Sequence, residues 1–197
     1  MPELKDQLGD ATNILLGAPS MSQGTDEVCV DLLSQAPPDE TSVLWVSFTK
    51  PASQCLAEWR SQHDGDPASF GAIVVGDTVG GGDADDINPN AIQHVSNPSD
   101  LTGIGIKVGE FVSGSTKQIV VCVDSLTSLL QYVDLETAYE FLHALTGQLY
   151  SAGAISHFHI DPTAHDAETI DTLLSLFDAS VDLSGDEPEI RTRYPLE

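Results

Sequence analysis

Where an apolar run opens into Gly17-Ala18-Pro19-Ser20-Met21-Ser22-Gln23-Gly24-Thr25, the chain carries the material of a phosphate-binding loop. Glycines let backbone amides approach an anion, and the first turn of the following helix points further N–H groups at it. The full pattern is G-x-x-x-x-G-K-[ST], in which the lysine reaches the terminal phosphates and the hydroxyl reaches magnesium. Counting from Gly17 puts Ser22 at the second glycine, Gln23 at the lysine and Gly24 at the hydroxyl, with Thr25 one residue later. Gly17 and its flanking strand and helix match, and the lysine is missing. On these residues two readings stay open: an ordinary strand-turn-helix, or a degenerate nucleotide loop built from Gly17, Ser22, Gln23, Gly24 and Thr25.

A second group closes the apolar run Ile119-Val120-Val121-Cys122-Val123-Asp124. A carboxylate at the end of such a strand can hold magnesium through water, since hard cations want oxygen ligands, or it can cap the turn that follows. The third group is Ser156-His157-Phe158-His159-Ile160-Asp161, where strand alternation places His157, His159 and Asp161 on one face. Two imidazoles and a carboxylate form a metal-ligand pattern, and equally the polar end of a strand. The acidic stretch Asp83–Asn88 suggests calcium, but Asn88 stands where the loop needs its glycine and His94 where it needs its glutamate, so it reads as a solvated loop. No G-x-S-x-G elbow organises a hydrolase triad. Cys29, Cys55 and Cys122 are far apart, form no C-x-x-C pair and read as buried free thiols.

Alternating elements must position these groups. Thr12–Leu16 predicts a strand, followed by a helix from about Thr25 to Ser34 with Val28, Leu32 and Leu33 on one face and a stop at Pro37-Pro38. Ser42–Phe48 predicts a strand, and Cys55, Leu56 and Trp59 the inner face of the helix after Pro51. Gly71–Val75 is the next strand, and Gly76 to about Ser99 a long glycine-rich loop with one short strand near Gln93–Val95. Leu101–Val112 reads as a helix in spite of Gly103, Gly105 and Gly109. The near-continuous apolar run Gln118–Val123 suits a central parallel strand covered on both faces. Leu135, Ala138, Leu142, Leu145 and Leu149 give an amphipathic helix over Asp134–Ser151, capped by Asp134 and ended near Gly153. A strand at Ala154–Ile160, a helix around Ile170–Phe177 opened by Thr163 and Asp166, and closing strands at Ala179–Leu183 and Glu189–Tyr194 complete the series. Such alternation demands a mostly parallel sheet with helices on both faces, within one domain over 1–197.

Charge narrows the setting. Against 7 basic residues stand 31 acidic ones, a formal net charge of -24 on a chain of 197 residues that is 41% apolar and regularly patterned. Self-repulsion on that scale is relieved when molar salt cuts the Debye length to about 3 Å. The composition looks like that of a salt-in halophile, and the expected source is a haloarchaeon. It argues against nucleic-acid binding, which needs clustered lysine and arginine. Neither a membrane span nor a secretory signal is visible in the sequence, so the expected location is cytoplasmic.

The run VVCVDSLTSLL, then ETAYEFLHALTGQLYSAGAISHFHIDPTAHDAETIDTLLSLFDASVDL, resembles the second half of a RecA-superfamily ATPase core of the KaiC-like type. GDTVGG and SNPSDLTGIGI are similar to that family's connecting segment, and the resemblance extends over roughly Thr12 to Leu183. It implies a three-layer RecA-like, P-loop NTPase-like α/β fold with Asp124 as the magnesium-side acid and ATP with magnesium as the family's ligands. It also implies edge-to-edge association, with copies of itself or with a protein partner. The family places an acid after its second strand to activate water, whereas here Thr49-Lys50-Pro51 follows. Without that base and the loop lysine, the expectation is a non-catalytic, regulatory domain, with a nucleotide sensor or a DNA-associated regulator as alternatives.

Overall fold

The computed structural model describes residues 4–20, 22–77 and 86–193. The acidic positions Asp83 and Asp85, the glycines Gly80–Gly82 and the expected strand end at Tyr194 lie outside the described residues. Eight strands form one sheet: β1 Asn13–Gly17, β2 Thr41–Ser47, β3 Ser69–Val75, β4 Ile92–Val95, β5 Gln118–Asp124, β6 Ile155–Ile160, β7 Ala179–Asp182 and β8 Glu189–Thr192. Their order is β4-β3-β2-β5-β6-β1-β7-β8. Each neighbouring pair is parallel except β7 with β8, which is antiparallel. The helices are α1 Leu4–Leu8, α2 Thr25–Leu33, α3 Ala52–Gln62, α4 Leu101–Gly114, α5 Leu126–Leu129, α6 Leu135–Ser151 and α7 Ala167–Leu174. None of them is long and apolar enough to cross a membrane.

The layering follows from alternation along the central strands. On one face Leu44, Val46, Val121, Val123 and Phe158 pack with residues of α4, α5 and α6 such as Ile104, Leu126, Leu142 and Leu149. On the other, Val43, Trp45, Val120 and Cys122 pack with Cys29 and Leu33 of α2 and Cys55 and Trp59 of α3. Strands apolar on both faces must be covered twice, which is why β2 and β5 read as unbroken apolar runs.

Several local choices can be traced to single residues. Asp134 caps α6 by accepting from the Thr137 amide at 2.8 Å. The cap of α7 is Asp166, which accepts from Thr169 N, while Thr163 lies in a separate 3-10 turn and donates to Asp161. Helix α4 forms across its glycines because Asp100 accepts from the Gly103 amide at 2.8 Å, and a Cβ at Gly103 would meet that carboxylate.

Gly71 lets β3 approach α4 closely: a Cβ there would lie 2.7 Å from the Phe111 ring and 3.3 Å from Leu44 Cδ1. Gly71→Ala is therefore expected to destabilise the fold by about 1–2 kcal/mol through overpacking, read from a denaturant midpoint at unchanged m-value. An unchanged midpoint would mean that the Phe111 ring moves aside freely.

Candidate functional site

A cleft of about 450 Å³ opens at the carboxyl ends of β1, β5 and β6. Open parallel sheets bind ligands at this end, where the connections diverge to opposite sides. In the order β2-β5-β6-β1, the chain leaves β1 through α2 and crosses two strand positions to reach β2.

Ala18, Pro19, Ser20, Ser22 and Thr25 form one wall. Helix α2 starts at Thr25, and Gly24 before it has φ 85, a left-handed conformation that glycine adopts without steric cost. Gly24, rather than Ser22, is thus the glycine that admits the helix, and Thr25 and Asp26 occupy its first turn. Gly17 ends β1, with Asp182 beside it. Three of the loop amides have acceptors within the protein: Ala18 N donates to Ile160 O at 2.9 Å, Ser22 N to Pro19 O at 2.8 Å and Ser20 N to Asp161 Oδ2 at 3.0 Å. Gln23, at the position of the missing lysine, is exposed in the turn before α2.

Asp161, at the end of β6, holds both sides of this wall. One carboxylate oxygen accepts from the amide and hydroxyl of Ser20, the other from the amide and hydroxyl of Thr163. The Ser20 bonds first, then those of Thr163, hold its carboxyl well below the usual range. Its own amide donates to Thr127 Oγ1 at 2.9 Å, and the same hydroxyl lies 3.0 Å from His165 Nε2.

Opposite stands a charge cluster. Lys50, just after β2, directs its ammonium to Glu58 Oε1 at 2.7 Å, Asp26 Oδ1 at 3.1 Å and Asp124 Oδ2 at 3.8 Å. Thr49 Oγ1 donates to that same Asp124 oxygen at 3.0 Å. Ser47 Oγ fixes the turn by accepting from Lys50 N at 2.8 Å. Burial opposes the Lys50 charge, but Glu58 first, then Asp124 and Asp26, more than offset it and raise its pKa above the lysine range. Burial raises the Glu58 carboxyl, with Lys50 pulling the other way.

His157 and His159 share a face of β6, as the alternation requires, whereas Asp161 lies just past the end of the strand and is engaged by Ser20 and Thr163. Both rings are buried on the α2 side, beside Cys29 of α2 and Cys122 of β5. The network around Lys50 and the meeting of the cysteines with the histidines had no sequence signal, because each joins residues from separate crossovers.

No curated protein matches the chain. Among solved structures, protein PH0250 of Pyrococcus horikoshii OT3 is similar at TM-score 0.62 and 11% identity, over 94% of this chain and 89% of that one. The uncharacterized protein PH0321 of Pyrococcus horikoshii, solved in complex with an unknown peptide, gives TM-score 0.60 and 12% identity, covering 88% and 78%. The flagellar accessory protein FlaH of Methanocaldococcus jannaschii gives 0.52 and 14%, covering 87% and 70%. At these identities the likeness concerns the fold, a RecA-like α/β domain with a mostly parallel sheet. A family described as of unknown function, DUF7504, matches residues 11–183, and the chain belongs to that family.

Proposed function

We propose that this chain is one RecA-like domain without ATP turnover, a pseudo-ATPase that acts in regulation or signalling through protein contacts in a halophilic archaeon. The observation that carries the reading is the state of the cleft's ammonium: Lys50 is engaged by Glu58, Asp26 and Asp124 and does not face an open anion site. A triphosphate entering the cleft would meet Asp26, Asp124 and Asp161 against that single committed ammonium. Asp26 and Glu27 also sit in the first turn of α2, where an anion would otherwise gain from the helix dipole. Amides at Ala18, Ser20 and Ser22 that could cradle phosphate donate to protein acceptors instead.

Contacts with protein rather than nucleic acid suit the charge of -24. Arg60 pairs with Asp66 and Asp86, and Arg191 with Glu189, which leaves these cations neutralised at home. The peptide held by the similarly folded PH0321 is in keeping with a protein-binding role.

Thermal unfolding in about 2–3 M KCl, with and without Mg-ATP, tests the reading on the parent and on Asp124→Ala. A nucleotide at 100 times its Kd would stabilise the fold by about 2.7 kcal/mol. The expected result is no shift in either protein. A saturable, magnesium-dependent shift that disappears in Asp124→Ala would make the domain a nucleotide sensor, and sustained phosphate release would overturn the reading altogether.

A further inference from the structure

Beneath the cleft, four metal-ligating side chains from three elements meet. Cys29 comes from α2, Cys122 from β5, and His157 and His159 from β6. Their ligand atoms all lie within 4.8 Å of one another. Cys29 Sγ is 3.6 Å from Cys122 Sγ and 3.1 Å from His157 Nε2. The residues are 1%, 0%, 1% and 7% exposed, in the order Cys29, Cys122, His157, His159. His159 Nε2 is buried with no hydrogen-bond partner, which leaves a polar atom uncompensated inside the fold.

We propose that Cys29, Cys122, His157 and His159 form a buried, four-coordinate site for a zinc-class divalent ion.

The dimensions fit such an ion. Zinc bonds of about 2.3 Å to sulfur and about 2.0 Å to nitrogen make tetrahedral ligand separations of roughly 3.3–3.8 Å. Both sulfur separations given above lie within about half an ångström of that range. The longest separation in the set, bounded by 4.8 Å and involving a histidine nitrogen, must close by about 1.5 Å at most.

Electrostatics favour occupancy as well. Two thiolates and two neutral imidazoles cancel a divalent charge, so the loaded cluster is neutral where burial would penalise any net charge. Loading displaces the thiol protons of Cys29 and Cys122, since the thiolate is the ligand. His159 also lines the cleft, which supplies an entry path from solvent.

Four protein ligands leave no coordination position for substrate, so the ion's role is structural. It would tie α2, whose first residues Thr25 and Asp26 line the cleft, to the two strands that form the cleft floor. This inference does not depend on whether the cleft takes a nucleotide.

The test is titration of the reduced, folded protein with cobalt(II) chloride in molar KCl, followed by displacement with zinc(II). The expected result is one cobalt per chain, with the intense visible absorption of a tetrahedral site and a near-ultraviolet sulfur-to-cobalt band, both bleached by one equivalent of zinc. His159→Gln and Cys122→Ala should each weaken zinc binding by about 100-fold or more. Cys55→Ala, which removes a buried thiol outside the cluster, should bind as the parent does. The parent spectrum and the Cys55→Ala control decide the matter even if Cys122→Ala fails to fold. Weak octahedral-type absorption, uptake unchanged in His159→Gln, or a folded protein that binds no stoichiometric metal and instead forms a Cys29–Cys122 disulfide would each overturn the proposal.

Discussion

Lys50→Met is expected to cost about 3–5 kcal/mol of folding stability, because it removes one partner of a largely buried ion cluster. Lys50, Glu58 and Asp124 have side chains only 19%, 10% and 13% exposed. Glu58 Oε2 is already buried without a hydrogen-bond partner, so loss of the ammonium leaves the carboxylate with only the long 3.4 Å bond that Gln54 Nε2 donates to Oε1. Asp26, at 66% exposed, can turn to water and adds little. The deficit should persist in molar salt, since screening reaches a buried pair far less than a surface one. Two readouts separate this from simple loss of packing. Lys50→Met/Glu58→Gln should recover much of the stability, as the stranded charge is gone. The single variant should also regain stability as pH falls: burial raises the Glu58 carboxyl, so the folded form takes up a proton more readily than the unfolded chain. Equal stability of single and double variants, with a loss under about 1 kcal/mol, would mean that Lys50 is a surface lysine in effect and free to meet an anion.

That lysine marks the limit of what the sequence discloses. The alternation of strands and helices, the doubly covered character of β5 and the Asp134 cap of α6 are all local, encoded within a few residues of where they act. They led directly to the sheet and its two helical layers. Position in the cleft is set by strand order, which places β5 between β2 and β6 and so brings Asp124 beside Thr49 and Lys50. No local pattern carries that information. Cys29 and Cys122 show the same division: their apolar surroundings correctly indicate burial, while their meeting across 93 residues depends on α2 crossing over β5 and β6. The short helices α1 and α5, with five and four residues, are too brief for a 3.6-residue period to register. At α7 the earlier of the two expected start residues, Thr163, is drawn away by Asp161, a competition visible only once β6 and the following turn are in place.

Asp161→Ala is expected to cost about 3 kcal/mol, since hydrogen bonds to a charged acceptor are worth about 1.5–3 kcal/mol each and four donors lose theirs together. The sum is not four times the single value, because Ser20 and Thr163 are exposed and their donors can turn to water. Asp161→Asn is the sharper probe. Its amide keeps one acceptor oxygen and turns an NH2 towards the other pair of donors, so only one of the Ser20 and Thr163 arms survives; an intermediate loss is expected. The pH dependence has a fixed sign. Hydrogen bonds hold the Asp161 carboxyl below its unfolded value of about 3.9, so its contribution is present above that pH and fades as the pH falls towards the folded value. The stability gap between the parent and Asp161→Ala should therefore be level near neutrality and narrow below about pH 4, while the many other acids cancel in the difference. The same variant tests whether Asp161 keeps an anion out of the loop. Asp161 is the internal anion that Ser20 N already serves, so its removal frees that amide and subtracts a negative charge from the cleft. Inorganic pyrophosphate should stabilise Asp161→Ala more than it stabilises the parent. A gap that stays constant into acid, or equal responses to pyrophosphate, would show that Asp161 neither fastens the loop nor occupies the place of a phosphate.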